Sequence, residues 1–227
     1  MGWLERAISP LGQRRLAVLL ASLCLVLAAE AALEIGTELL ARIEKEYGAT
    51  AVDRIRSWQR IMDWSRDLPE EDKLKVINDF FNQLEFVTDK QTWGVEDYWA
   101  TPFEFMAKNG GDCEDFSLAK YFTLIELGVA EERLRMTYVT ALNDHQSHMV
   151  LTYYSSPCAV PLVLDNLDPH ILPASQREDL QPVYSFNGTG LWLAKSIGSG
   201  KQVGNLERLE LSRNLINRMR SSGEDKH

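Results

Sequence analysis

Between Thr50 and Ser65 the apolar residues Val52, Ile55, Trp58 and Met62 recur at three- and four-residue steps, one face of a helix. Pro69-Glu70-Glu71 opens a second helix, with Leu74, Ile77, Phe80, Phe81 and Leu84 apolar. Gly36 to Tyr47 reads as a shorter helix ahead of both. Thr101-Pro102-Phe103-Glu104 is a further helix start: the threonine caps, proline suits the first turn, and Glu104 completes a capping box. Gly110 and Gly111 are expected to stop that helix and Asp112 to cap the next. Cys113 therefore falls in the first turn of a helix running to about Leu127, which offers Phe116, Ala119, Tyr121, Phe122 and Ile125 to a core.

After this helix the period changes. Arg135 to Leu142, His148 to Tyr154 and Pro161 to Leu167 are short β-rich runs. Val183 to Phe186 and Thr189 to Ala194 flank Asn187-Gly188, a hairpin-turn signal. The tail from Leu206 to Met219 predicts a last helix. The pattern is α+β, a helical amino-terminal half followed by an antiparallel sheet.

At 227 residues and 45% hydrophobic content, with no repeat or linker, the chain has material for one domain and a full core. A formal net charge of −9 argues against a nucleic-acid partner and against sustained binding to an anionic membrane. The amino terminus has the form of an export signal. Arg6, Arg14 and Arg15 precede the uncharged apolar run Leu16 to Ala29, and Ala29-Glu30-Ala31 has the small-x-small form of a cleavage site. The run has fourteen residues, short of the ~18 of a spanning helix, so cleavage is expected rather than a permanent anchor. Residues 1–31 are thus the leader and 32–227 a single domain. Leu23 directly before Cys24 disfavours a lipoprotein signal. Two cysteines remain after cleavage, Cys113 and Cys158, and an oxidising compartment raises a disulfide between them as one reading.

The stretch NGGDCEDF bears on that choice. A helix amino terminus favours a thiolate at Cys113, whereas Asp112, Glu114 and Asp115 oppose it. A reactive cysteine needs a base, and the base an orienter. Among His145, His148, His170 and His227, only His148 begins an apolar strand, HMVLTYY; His145 lies in the polar loop NDHQS. Asp165 sits in the next strand, VPLVLDNL. With a hairpin centred near residues 156 to 157, His148 falls opposite Asp165 or one position from it, within reach of an imidazole–carboxylate bond in the first case and on the other face in the second. Cysteine, histidine and aspartate together form a candidate triad. The run GSGK at 198–201 lacks the Gly at 195 and the Ser or Thr at 202 of a phosphate loop.

The GGDCEDFSLAKYFTLIELGV stretch, the HMVL strand and the LVLDNL strand resemble the bacterial transglutaminase-like cysteine proteinases of the LapG type, over about Trp93 to Trp192. The resemblance implies a papain/transglutaminase-like fold and a periplasmic endopeptidase, with Cys113 as nucleophile, His148 as general base and acid, and Asp165 as orienter. It implies cleavage of a large repeat-rich surface adhesin near its amino-terminal end, at a pair of alanines, which releases the cell from a biofilm. It also implies inhibition by the periplasmic domain of an inner-membrane cyclic di-GMP receptor. Calcium is the implied cofactor, held by Asp112 and Glu114, with Asp115 a further candidate; a bound dication would offset the acids around Cys113. The Cys113 N–H is one oxyanion donor and Trp93 a candidate for the second. Two other readings stay open: an acyltransferase joining glutamine to an amine on the same scaffold, and a non-catalytic binding module with Cys113 paired to Cys158.

Overall fold

The apolar stripe of Val52, Ile55, Trp58 and Met62 predicts a buried helix face, and these four side chains are buried. The computed structural model describes residues 36–193, the main chain of 201–204, and 214–219. The proposed leader lies outside the described residues, as does most of the expected tail helix, of which 214–219 is helical. The described residues from Thr37 onward form one compact unit.

Helices α1 (Thr37–Tyr47), α2 (Ala49–Ser65) and α3 (Glu70–Phe81) come first. Trp58 of α2 packs edge-on against Phe81 and against Phe103 of α5 (Pro102–Lys108), with ring centroids 6.2 and 5.2 Å apart. Its indole N–H donates to Thr123 Oγ1 at 3.0 Å, which ties α2 to helix α6 (Cys113–Glu126). Trp58 thus buries a large apolar surface while its polar atom stays satisfied. The capping box at Thr101 is formed in both directions: Glu104 N–H donates to Thr101 Oγ1 and Thr101 N–H to Glu104 Oε2.

Asn109, not a glycine, takes the left-handed turn that ends α5, at φ 63°. Asparagine tolerates that region. Gly110 and Gly111 instead form strand β2, paired in parallel with β1 (Glu85–Phe86), and both have φ outside the left-handed region. They are needed for close approach. A Cβ at Gly110 would lie 2.2 Å from the Glu85 carbonyl oxygen, and one at Gly111 2.2 Å from Asp115 Oδ2. A four-residue helix, α4 (Asp89–Thr92), follows β1. The β1–β2 pairing therefore sets Asp89 beside the start of α6, a proximity that local sequence spacing does not express.

Strands β3 (Leu134–Ala141), β4 (Gln146–Tyr153), β5 (Leu162–Leu164), β6 (Leu172–Pro173), β7 (Leu180–Asn187), β8 (Gly190–Leu193) and β9 (Lys201–Gly204) form one antiparallel sheet in the order β6-β5-β4-β3-β7-β8-β9. Helix α6 packs against β4 and β3. Two details differ from the sequence pattern. The β7–β8 loop is Gly188-Thr189, because Asn187 remains paired with Gly190. The Asn187 side chain holds the turn from inside: Oδ1 accepts from Thr189 and Gly190, and Nδ2 donates to the carbonyls of Glu131 and Leu134. Strand β5 also stops at Leu164, short of Leu167, which frees Asp165 from the ladder.

Candidate active site

The β4–β5 register pairs Leu151 with Leu164. Asp165 therefore lies a diagonal step from His148 on the same face, rather than directly opposite or one position away. A two-residue offset keeps the side chains together, where a one-residue slip would have parted them. The contact is made: His148 Nε2 and Asp165 Oδ1 are 2.8 Å apart, with both residues buried. His145 and His170 are exposed by contrast.

Strand β5 pairs with β4 only along Leu151–Tyr153, so the amino-terminal half of β4 is free to meet a helix on that side. Helix α6 takes this position. Ser117 Oγ donates to the Met149 carbonyl at 3.1 Å, and the nearby Met149 amide favours ionisation of the Cys113 sulfur. The thiol is thereby placed beside the residue that follows His148. With Nε2 engaged by Asp165, Nδ1 is the ring nitrogen left for proton exchange with the thiol. Cys113 occupies the first position of α6, where the backbone N–H has no acceptor within the helix and is suited to an oxyanion.

Asp165 is the most fully engaged residue of the site. Oδ1 also accepts from the Leu167 N–H at 3.0 Å, and Oδ2 accepts from Arg177 Nη2 at 2.8 Å. Its main-chain oxygen accepts from Lys120 Nζ at 3.1 Å and Asn82 Nδ2 at 2.8 Å. Burial alone would raise this carboxyl. The bond and charge of His148, the Leu167 amide and Arg177 outweigh it and hold the group at about 2. A carboxyl depressed from 3.8 to about 2 contributes stability above the unfolded value and loses it as pH falls toward 2. The contribution is on the order of 2 kcal/mol. Asp165→Asn is accordingly expected to flatten the pH dependence of the thermal midpoint between pH 4 and 2; an unchanged slope would contradict this assignment.

The thiol environment is the reverse. Burial pushes the Cys113 thiol far up, and the charge of Glu114, the S–H bond to Glu114 Oε2 at 3.0 Å and the charge of Asp112 push it further. The Asp112 side chain does not cap α6, contrary to the sequence expectation. It joins Asp89 and Glu114, each offering a carboxylate oxygen within 4.8 Å of the others. Asp89 Oδ2 accepts from the Tyr98 N–H at 2.6 Å, while Asp89 Oδ1 and Asp112 Oδ1 are buried without partners. Burial first, then neighbouring carboxylates, raises both Asp89 and Asp112. Clustered acids with orphaned, inward-facing oxygens are a hard-cation donor set, and they fit calcium. Asp115 stands apart from this trio. Its Oδ1 accepts from the Ala100 N–H at 2.7 Å, and its Oδ2, also buried without a partner, lies against Gly111.

Trp93 packs at a tilt against Tyr98 with centroids 4.4 Å apart and lies under Lys108 Nζ, and its Nε1 is buried without a partner. These contacts join it to α5 and the 94–98 loop. Cys113 and Cys158 are both free thiols, Cys158 exposed, so the disulfide of a binding module is not formed. Sequence reading missed Asp89 and Arg177. Thr88-Asp89-Lys90-Gln91 carries a capping-box pattern that marks a helix start but no metal role. Arg177 has no local signal at all.

Among the described residues no helix is long and apolar enough to cross a membrane. The model of the bacterial transglutaminase-like cysteine proteinases matches residues 57–181. Three solved structures of Legionella pneumophila LapG resemble the chain at 42% identity. The EGTA-treated form covers 82% of this chain and 98% of its own at a TM-score of 0.72. A second LapG structure covers 82% and 98% at 0.70. The calcium-bound form covers 82% and 99% at 0.69. Comparison with curated protein sequences yields no match. Both the matched span and the identity over most of the chain establish descent, and the chain belongs to the bacterial transglutaminase-like cysteine proteinases.

Proposed function

We propose that the protein is a calcium-dependent periplasmic endopeptidase that cleaves the amino-terminal region of a large repeat-rich surface adhesin at a di-alanine site. The observation that carries the catalytic part is the 2.8 Å His148–Asp165 bond, with the Cys113 thiol at the adjacent Met149 amide. His148 takes the Cys113 proton as the sulfur attacks the scissile carbonyl carbon. The Cys113 N–H receives the developing oxyanion, and His148 returns the proton to the leaving amine. Water, deprotonated by His148, then opens the thioester. Asp165 keeps the ring oriented throughout and stabilises the transient imidazolium.

Asp89, Asp112 and Glu114 are the residues that would hold calcium. Bound there, the cation supplies positive charge that offsets the acids beside the thiol. The adhesin, the biofilm release that follows its cleavage, and inhibition by the periplasmic domain of a cyclic di-GMP receptor rest on the family resemblance. The test is incubation with an adhesin amino-terminal fragment plus a primary amine, followed by intact-mass measurement. Two fragments that sum to substrate plus water support hydrolysis. A glutamine-linked amine adduct with no cleavage would replace this reading with acyl transfer.

A further inference from the structure

Asp165 has no exposed side-chain surface, so each of its oxygens needs a donor. Oδ1 is shared by His148 and the Leu167 amide, which leaves Oδ2 to a single side-chain donor, Arg177 Nη2 at 2.8 Å. Arg177 is itself buried and held from its outer side: Nε and Nη2 donate to Asp179 at 2.9 and 2.7 Å. The Asp179 carbonyl in turn accepts from the Leu142 N–H at 2.8 Å, which anchors this segment to the end of β3. The guanidinium thus bridges a partly exposed carboxylate and a buried one. Its planar fork can do so where an ammonium cannot. A buried ion pair is a weak source of net stability, so placing one on the orienting carboxylate calls for a reason in geometry.

We propose that Arg177 is a positioning residue of the catalytic array: it fixes the Asp165 carboxylate so that Oδ1 faces His148 Nε2 and Nδ1 remains available to the thiol. The proposal rests on the reading of Cys113, His148 and Asp165 as the reacting groups. Without Arg177, Oδ2 is a buried anionic oxygen with no donor. The carboxyl then turns toward another donor or takes up a proton, and either change releases the imidazole. Arg177 never touches substrate; it acts only through Asp165.

That dependence can be tested by a double-variant cycle on the full protein in calcium-containing buffer. The measurement is the rate of iodoacetamide labelling at Cys113, read at peptide level to separate it from exposed Cys158. Arg177→Gln is expected to slow labelling at least about tenfold, with an unchanged far-ultraviolet circular dichroism spectrum. Asp165→Asn should show a comparable loss, and the double variant should be no slower than Asp165→Asn alone. The downfield Nε2–H proton resonance of His148 should be lost in Arg177→Gln and partly recovered in Arg177→Lys. Should Arg177→Gln fail to fold, Arg177→Lys enters the same cycle, with a smaller loss that again vanishes in the Asp165→Asn background. Wild-type labelling by the Arg177 variants, or a double-variant loss equal to the product of the single losses, overturns the proposal. Labelling of His148→Ala at the wild-type rate would instead sink the triad reading beneath it.

Discussion

Cys113→Ala is expected to abolish proteolysis, by at least ~10³-fold, while leaving the fold intact. The two halves of this expectation have separate physical grounds. In the proposed mechanism the sulfur forms the thioester, and Ser117, one turn along α6, cannot replace it because its hydroxyl is committed to the Met149 carbonyl. The stability cost is small because the thiol's environment does not reward it. Cys113 is partly exposed, its S–H bonds a carboxylate, and the nearby acids disfavour its ionisation. Ser117 on Met149 and Lys120 on Asp165 keep α6 fixed to the sheet when the sulfur is gone. A thermal midpoint within a few degrees of wild type, together with an intact substrate band, is the expected pair of results. Cleavage by the alanine variant would remove Cys113 from the mechanism.

The parts of this site that were legible in the sequence are those encoded by local period and capping. The Thr101 capping box and the stripe of α2 were readable because each depends on residues three or four apart. The pairing of His148 with Asp165 was readable only as a possibility of register, since a β-turn of unknown length leaves parity open. The β5 strand resolved it by stopping at Leu164 and pairing through Leu151. Asp89 and Arg177 could not be read in this way. Asp89 arrives beside Asp112 through the two-residue β1–β2 pairing, and Arg177 reaches Asp165 through an irregular segment between β6 and β7. Neither link has a periodic signature. The glycines before Cys113 show a subtler limit: their type was informative, but the reason is contact with Glu85 and Asp115 rather than a left-handed turn.

Chelation of calcium by EGTA is expected to silence the enzyme at neutral pH, with at least a hundredfold loss of activity, restored by excess calcium. Without a bound cation, burial and the charge of Glu114 act against ionisation of Cys113. A single unit charge about 4 Å away is worth on the order of 4 kcal/mol at an effective dielectric near 20. The helix terminus offers at most about 2 kcal/mol in the opposite sense. The acids therefore win in the metal-free protein, and the balance reverses only when their charge is offset. The same reasoning assigns the ligands. Asp89→Ala and Asp112→Ala each remove a buried oxygen that has no protein donor, so each should weaken calcium binding and leave a residual activity that responds little to EGTA. Asp115→Ala acts differently, because that carboxylate lies outside the Asp89–Asp112–Glu114 cluster and holds the Ala100 amide; it should lower stability more than calcium affinity. Isothermal titration with calcium, alongside iodoacetamide labelling of Cys113 with and without EGTA, separates these cases. Equal labelling rates in calcium and in EGTA would return the acids to a purely structural role at the start of α6.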